Sequence, residues 1–300
     1  MEKFIQLLVY GLQLGSIYAL LAIGYTMVFG IIRMINMAHG DFLMMGAYAA
    51  FFIVSLIFRD QMIGPAVALL VILASAGVTG MIGVGVERVA YKPLRNRPKI
   101  SSMIAAIGVS LFTQNFFRAI PFIGPNPRTF PKLMKDVLFF IGPIQFSLVR
   151  IVVIILSVII MAILYFFVMK TTMGMEMRAV SCDKDASSLM GIDVDRTIST
   201  TFFIGAGLAA ISGAFYANSY PVLTVTMGAT LGNKAFIAAV IGGIGDIRGA
   251  MLGGFIMGII EIMISSVYSE LAYGISFVFL IIILLMKPEG LLGKPMVEKV

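Results

Sequence analysis

The side chains able to do chemistry in this chain are few and widely spaced. Its 300 residues contain one histidine, His39, and one cysteine, Cys182. A hydrolase or metal centre needs nucleophiles, acids or ligands that converge, and no clustered carboxylates join either residue. Cys182 has no intrachain partner for a disulfide, and its neighbours Asp183, Lys184 and Asp185 point to a water-exposed position with a plain structural role. The nearest approach to a nucleotide-binding Walker A loop is Gly290 to Gly293-Lys294-Pro295. Its spacing is wrong, and it lacks the hydroxyl that would hold magnesium. The chain is therefore expected to bind no cofactor and to hydrolyse no ATP itself. If its work needs energy, a gradient or a partner must supply it.

Two other groups of polar residues stand out because of where they fall. Asn36, His39, Gly40 and Asp41 lie at a break between two apolar runs, where unwound backbone and a new helix start can line a polar pathway. Asp41 suits a helix N-cap, and His39 either ties helices together or gates a path. Glu261 lies among apolar residues, and Lys234 follows Gly232-Asn233 in a similar setting. A carboxylate in mid-membrane costs about 2.5–3.5 kcal/mol on insertion scales unless it meets water or a partner. Glu261 should thus avoid lipid. Whether it pairs with Lys234 or each finds its own contact stays open at this level.

The elements that must position these groups are membrane helices. Hydrophobic residues make up 60% of the chain and charged ones 12%, against roughly 45–50% and 25% in soluble domains. The charges are segregated, so that 4–32, 61–86, 151–169 and 197–233 contain no Asp, Glu, Lys or Arg. Each run can cross a hydrocarbon layer, which takes about 20 helical residues. Charge-free runs and turn residues place spans near 5–30, 40–58, 64–87, 101–118, 148–169, 198–218, 229–245, 250–268 and 271–287, the Gly-rich seventh being the doubtful one. The expected fold is all-α and polytopic, one permease domain over 1–300 with about eight to ten spans, some of them short or broken. The first apolar run reads as a retained span, since no small-residue cleavage site closes a short core.

Five basic residues, Arg88, Lys92, Arg95, Arg97 and Lys99, crowd the loop after the third span, which the positive-inside rule makes cytoplasmic. Counting crossings puts the N-terminus and 119–147 outside, and 170–197 and the C-terminus inside. Lys287, Lys294 and Lys299 agree. The 119–147 segment carries Arg128, Lys132 and Lys135 with several prolines, so a folded external piece with a short amphipathic part is expected there. A weak internal repeat is also visible: Gly40-Asp41 and Gly232-Asn233 each open a small-residue apolar stretch after a polar break. The most charged stretch is 170–197, where Ala179 to Met190 has helical spacing with Ala179, Cys182, Ala186 and Leu189-Met190 on one face. Such a helix can seat in a partner's groove, or the stretch can be a solvated connector.

Several patterns together resemble the bacterial branched-chain amino-acid permease family. They are Gly15-Ser16-Ile17-Tyr18-Ala19-Leu20, Gly24-Tyr25-Thr26-Met27-Val28 and Asn36-Met37-Ala38-His39-Gly40-Asp41 near the start. Gly174, Met177-Arg178-Ala179, Asp183, Ala186, Met190-Gly191-Ile192 and Arg196 are similar to the family's coupling segment, and Ala238-Ala239-Val240, Gly242-Gly243, Gly249-Ala250 and Gly253-Gly254 to its C-terminal half. The resemblance implies an inner-membrane ABC importer. Its parts would be two permease subunits, two ATP-hydrolysing subunits that use ATP and Mg, and a periplasmic substrate-binding protein, with leucine, isoleucine, valine or similar amino acids as cargo. Asn36, His39, Gly40, Asp41, Asn233, Lys234 and Glu261 are then pathway or helix-break candidates, and Gly174 to Ile192 the contact with the ATPase. A gradient-driven secondary transporter, with Lys234 and Glu261 as coupling charges, is the main alternative; an intramembrane enzyme is weaker, for want of a nucleophile–base pair.

Overall fold

The computed structural model describes residues 2–293 except 35, 60, 96, 134, 142 and 143; Lys294, Pro295 and Lys299 lie outside the described residues. Eleven α-helices are described: α1 (Glu2–Ile32), α2 (His39–Ile57), α3 (Pro65–Val86), α4 (Lys99–Ala119), α5 (Leu148–Lys170), α6 (Thr172–Cys182), α7 (Lys184–Leu189), α8 (Val194–Ser219), α9 (Met227–Gly242), α10 (Ile247–Ser265) and α11 (Leu271–Met286). Seven of them, the third extended through its end turns to Leu94, are long and apolar enough to cross a membrane, and α9 and α11 are shorter apolar helices. Each of the nine expected spans thus has a helix. The Gly-rich seventh is one of the two short ones.

Bare backbone sets the packing at the centre. α1 runs through the middle of the bundle, and α10 crosses it where Gly11 and Gly15 meet Gly254 and Gly258. A Cβ on Gly258 would lie 2.1 Å from the Gly15 nitrogen, and one on Gly254 2.3 Å from the Ala19 Cα. Small residues four apart on both helices allow this approach, which lets dispersion act where lipid removes any hydrophobic drive. α8 meets α2 in the same manner, since a Cβ on Gly46 would sit 2.2 Å from the Ala210 Cα. The outer helices carry their bulk outward instead: Leu70, Phe112, Ile163 and Ile281 are exposed, as lipid-facing side chains should be.

The two ends of the bundle differ. At one end α3 runs into a π-helical turn, Glu87–Tyr91, and a 3₁₀ turn, Lys92–Leu94. Glu87 is fully buried there and accepts hydrogen bonds from Arg95 and from the Ser199 hydroxyl at 2.8 Å, while Arg95 and Lys92 both bind Asp195. Arg33 reaches the Ser181 carbonyl at 3.0 Å. The 88–99 loop, the end of α1 and the 170–197 segment therefore share one face. At the other end strand β1 (Arg128–Thr129) pairs with β4 (Val222–Leu223), β2 (Leu138–Ile141) forms an antiparallel hairpin with β3 (Ile144–Ser147), and the Gln6 amide reaches Gln145. This division matches the crossing count made from charges.

The folded piece in 119–147 is built from extended strands, because Leu138-Phe139-Phe140-Ile141 and Ile144-Gln145-Phe146 are rich in aromatic and β-branched residues that suit a pleated ribbon. Two expectations need correction. Ala179 to Met190 is not one helix. Asp183 adopts an extended conformation, ending α6, and its carboxylate accepts from the backbone of Asp185 and Ala186 to start α7, the usual competition of a short acidic side chain with the helix. Asp41 is also not the N-cap of α2, whose cap position falls on Ala38.

Candidate functional site

The break between α1 and α2 is held by Asn36. Its Oδ1 accepts from the Ala38 backbone at 3.1 Å and from the Tyr91 hydroxyl at 2.7 Å, so Asn36 does the turn-forming work expected of Asp41. Asp41 instead turns sideways in the first turn of α2 and accepts from the Gln114 amide at 3.1 Å. His39 is fully buried, its ring 4.5 Å from that of Tyr25. Neither of its nitrogens has a hydrogen-bond partner among the described residues. Gly24 and Gly205 make room for it, since a Cβ on Gly24 would lie 2.5 Å from His39 Nε2.

The two halves of the weak repeat touch. Gly40 packs on Gly228 and Gly232, where a Cβ on Gly40 would fall 2.3 Å from the Gly228 carbonyl oxygen. The starts of α2 and α9 thus meet backbone to backbone within the bundle. The structure brings Asn36, His39, Gly40 and Asp41 together at this junction. Asn233 lies one residue on along α9 and is exposed.

Lys234 and Glu261 form the second cluster. The Lys234 Nζ donates to Glu261 Oε1 at 2.6 Å, and the Tyr18 hydroxyl donates to Glu261 Oε2 at 2.9 Å. The pair opens on a recess whose wall also includes Tyr216 and Tyr220. It links α9 to α10, and through Tyr18 to α1.

The third cluster is the corner from α5 to α7. Thr171 caps α6 by accepting from Gly174 at 3.1 Å, and a side chain on Gly174 would strike the Val168 carbonyl at 2.3 Å. Arg178 also donates to that carbonyl, so it braces the corner. Met177 and Val180 are buried beneath it. Ala179 and Ile192 are half-buried, while Asp183 and Ala186 are exposed. α7 ends in a Schellman turn: Gly191 has φ +84°, its N–H binds the Ser188 carbonyl, and the Ile192 N–H binds the Ser187 carbonyl. Leu189 and Met190 project from this turn, 89% and 82% exposed. Burial, and then the positive charges of Arg95 and Arg33, hold the Lys184 ammonium below the usual lysine value.

The family described as branched-chain amino acid transport system / permease component matches residues 7–285. The chain belongs to this family. It is 41% identical over 309 aligned positions to the high-affinity branched-chain amino acid transport system permease protein LivH of Salmonella typhimurium, covering 99% of this chain and 98% of that protein. The BraD permease protein of Pseudomonas aeruginosa, with the same description, is 39% identical over equal shares. A probable branched-chain amino acid transport permease protein of Methanocaldococcus jannaschii is 26% identical over 93% of this chain and 89% of its own. No solved structure matches.

In this branched-chain permease the family-like segments fall into all three clusters. Sequence reasoning nevertheless missed Tyr18, Tyr91, Glu87, Arg95 and Gln114. Glu87 and Arg95 carried a signal, an acid and a base eight residues apart at a span end, but read only as loop charges. Tyr18 and Gln114 carried none, since their partners are 243 and 73 residues away in sequence.

Proposed function

We propose that this chain is the membrane-spanning permease subunit of an ATP-driven importer that carries branched-chain or similar amino acids into the cell by alternating access. The carrying observation is the match to branched-chain amino acid permease proteins along nearly the whole chain. In this reading the chain acts as a single permease domain beside a second, paralogous permease. Two ATPase subunits use ATP and Mg, and a periplasmic protein delivers the cargo. The chain itself performs no chemistry. Its N-terminus and the 119–147 segment face outward, and its C-terminus faces the cytoplasm.

The segment 172–192 is the contact with an ATPase subunit. Support comes from the exposed Leu189–Met190 knob, the rigid corner at Gly174 and Arg178 behind it, and the cations around Lys184. ATP can shift the permease only if the ATPase binds its two conformations differently, and a braced corner can carry that difference into α5 and α8. The junction at Asn36, His39, Gly40 and Asp41 is where the bundle is poised to rearrange.

The test is reconstitution of the copurified complex in vesicles. ATP-dependent uptake of leucine, absent when either ATPase or the binding protein is left out, is the expected result. Gradient-driven uptake by this chain alone would overturn the reading in favour of a secondary transporter.

A further inference from the structure

The Lys234–Glu261 pair is an unusual investment for a membrane protein, since a buried ion pair is often no more stabilising than apolar residues of the same volume. Its surroundings suggest a use. Both side chains line a recess of about 380 Å³, within the roughly 300–1,000 Å³ typical of small-molecule sites. The recess lies toward the end of the bundle that carries β1 and β4, because Val222 of β4 and the adjoining Tyr220 and Thr224 form part of its wall. Both charges keep limited access to it, with side-chain exposures of 12% and 11%.

Each charge has a second partner. The Tyr18 hydroxyl stays on Glu261 Oε2 when Oε1 is released, and the Tyr273 ring lies 5.5 Å from Lys234 Nζ, close enough for a cation–π contact. These neutral contacts hold the two side chains in place but supply no opposite charge, so each half of an opened pair still needs an ionic partner. Apolar Leu14, Met227, Leu231 and Ile262 complete the wall.

We propose that this recess is a transit site for an α-amino acid zwitterion: the cargo's carboxylate takes the place of Glu261 on Lys234, its ammonium takes the place of Lys234 on Glu261, and its aliphatic side chain lies on the apolar wall. The inference rests on the importer reading and deepens it. A zwitterion satisfies both halves of the opened pair at once. A molecule with one charge satisfies only one and leaves the other unpaired, a penalty that excludes it. The pair closes again behind the departing cargo, which keeps occupancy brief.

The test uses the assembled permease–ATPase complex, without binding protein, in vesicles of both orientations. Thr230, exposed on the recess wall, is replaced by cysteine in a Cys182→Ala background, and its labelling by a membrane-impermeant thiol reagent is timed. Millimolar leucine should slow labelling at least threefold. Neither 4-methylpentanoate, which lacks the ammonium, nor 3-methylbutylamine, which lacks the carboxylate, should do so. Glu261→Gln should abolish the leucine effect. Equal protection by all three compounds would show simple apolar occlusion and overturn the proposal; so would no protection by leucine in a complex that still imports leucine with ATP and binding protein. Loss of ATP-driven uptake in the wild-type complex would instead count against the importer reading itself. Should Glu261→Gln fail to assemble, the comparison of the three compounds on the unaltered pair still decides the matter.

Discussion

At the residue scale, the most demanding charge is Glu87, fully buried and bound by Arg95 and Ser199. Removing one partner of a buried pair leaves the other uncompensated and typically costs about 3–5 kcal/mol. Arg95→Met, which leaves the buried Glu87 with only the Ser199 hydroxyl, is therefore expected to lower thermal stability in detergent by that order, and the double change Arg95→Met with Glu87→Ala to recover much of it. Circular dichroism melts of the two variants would check this, and equal losses in both would refute it. His39 makes the opposite point. It was legible as a singular residue, and the structure seals it against Tyr25 with no polar partner among the described residues, so its shape, more than its hydrogen bonding, fits the junction. His39→Phe is accordingly expected to retain more uptake than His39→Ala, and the reverse order in a transport assay would restore a proton or hydrogen-bonding role.

At the scale of elements, the helices were legible and the joints between them were not. Charge-free runs mark spans because lipid forbids exposed charge along them, and that constraint is local in sequence. Joints depend on distant partners or on competing local bonds. Asp183 shows the second case: helical spacing from Ala179 to Met190 ignored its ability to cap a new helix, whereas the glycine at 191 was readable as a helix end because only a positive φ closes that turn without strain. Gly191→Val is expected to leave insertion intact while lowering cargo-stimulated ATPase activity several-fold, through the +84° backbone, since beyond its chain neighbours no atom of the described residues lies within 4 Å of a Cβ there. Leu189→Asp, which removes half of the exposed knob, should weaken copurification of the ATPase. If both variants couple normally but alter the order of preference among competing amino acids, the segment belongs to the pathway instead. At the α1–α10 crossing, Gly258→Ala places a methyl 2.1 Å from the Gly15 nitrogen; overpacking of this kind costs about 1–3 kcal/mol, readable as a lower melting temperature.

For the whole molecule, the crossing count places 88–99 with 170–197 and the N-terminus with 119–147, and the contacts gather Arg33, Arg95, Asp195 and Ser181 at one end and Gln6, Gln145 and the β1–β4 pair at the other. Single cysteines at Lys99, Asp183 and Asn126, in a Cys182→Ala background, are expected to react with an impermeant reagent in intact cells only at Asn126; labelling of the first two would invert the orientation. How the ends are arranged was legible from charge, whereas the meeting of α2 with α9 was only hinted at by two small-residue starts. That meeting has a mechanical meaning. Helices usually lock because side-chain ridges sit in the neighbour's grooves, and where Gly40 touches Gly228 and Gly232 there are no ridges to mesh. The contact works like a plain bearing, tight against separation and smooth against rotation, so α2 and α9 meet there without teeth to pass over.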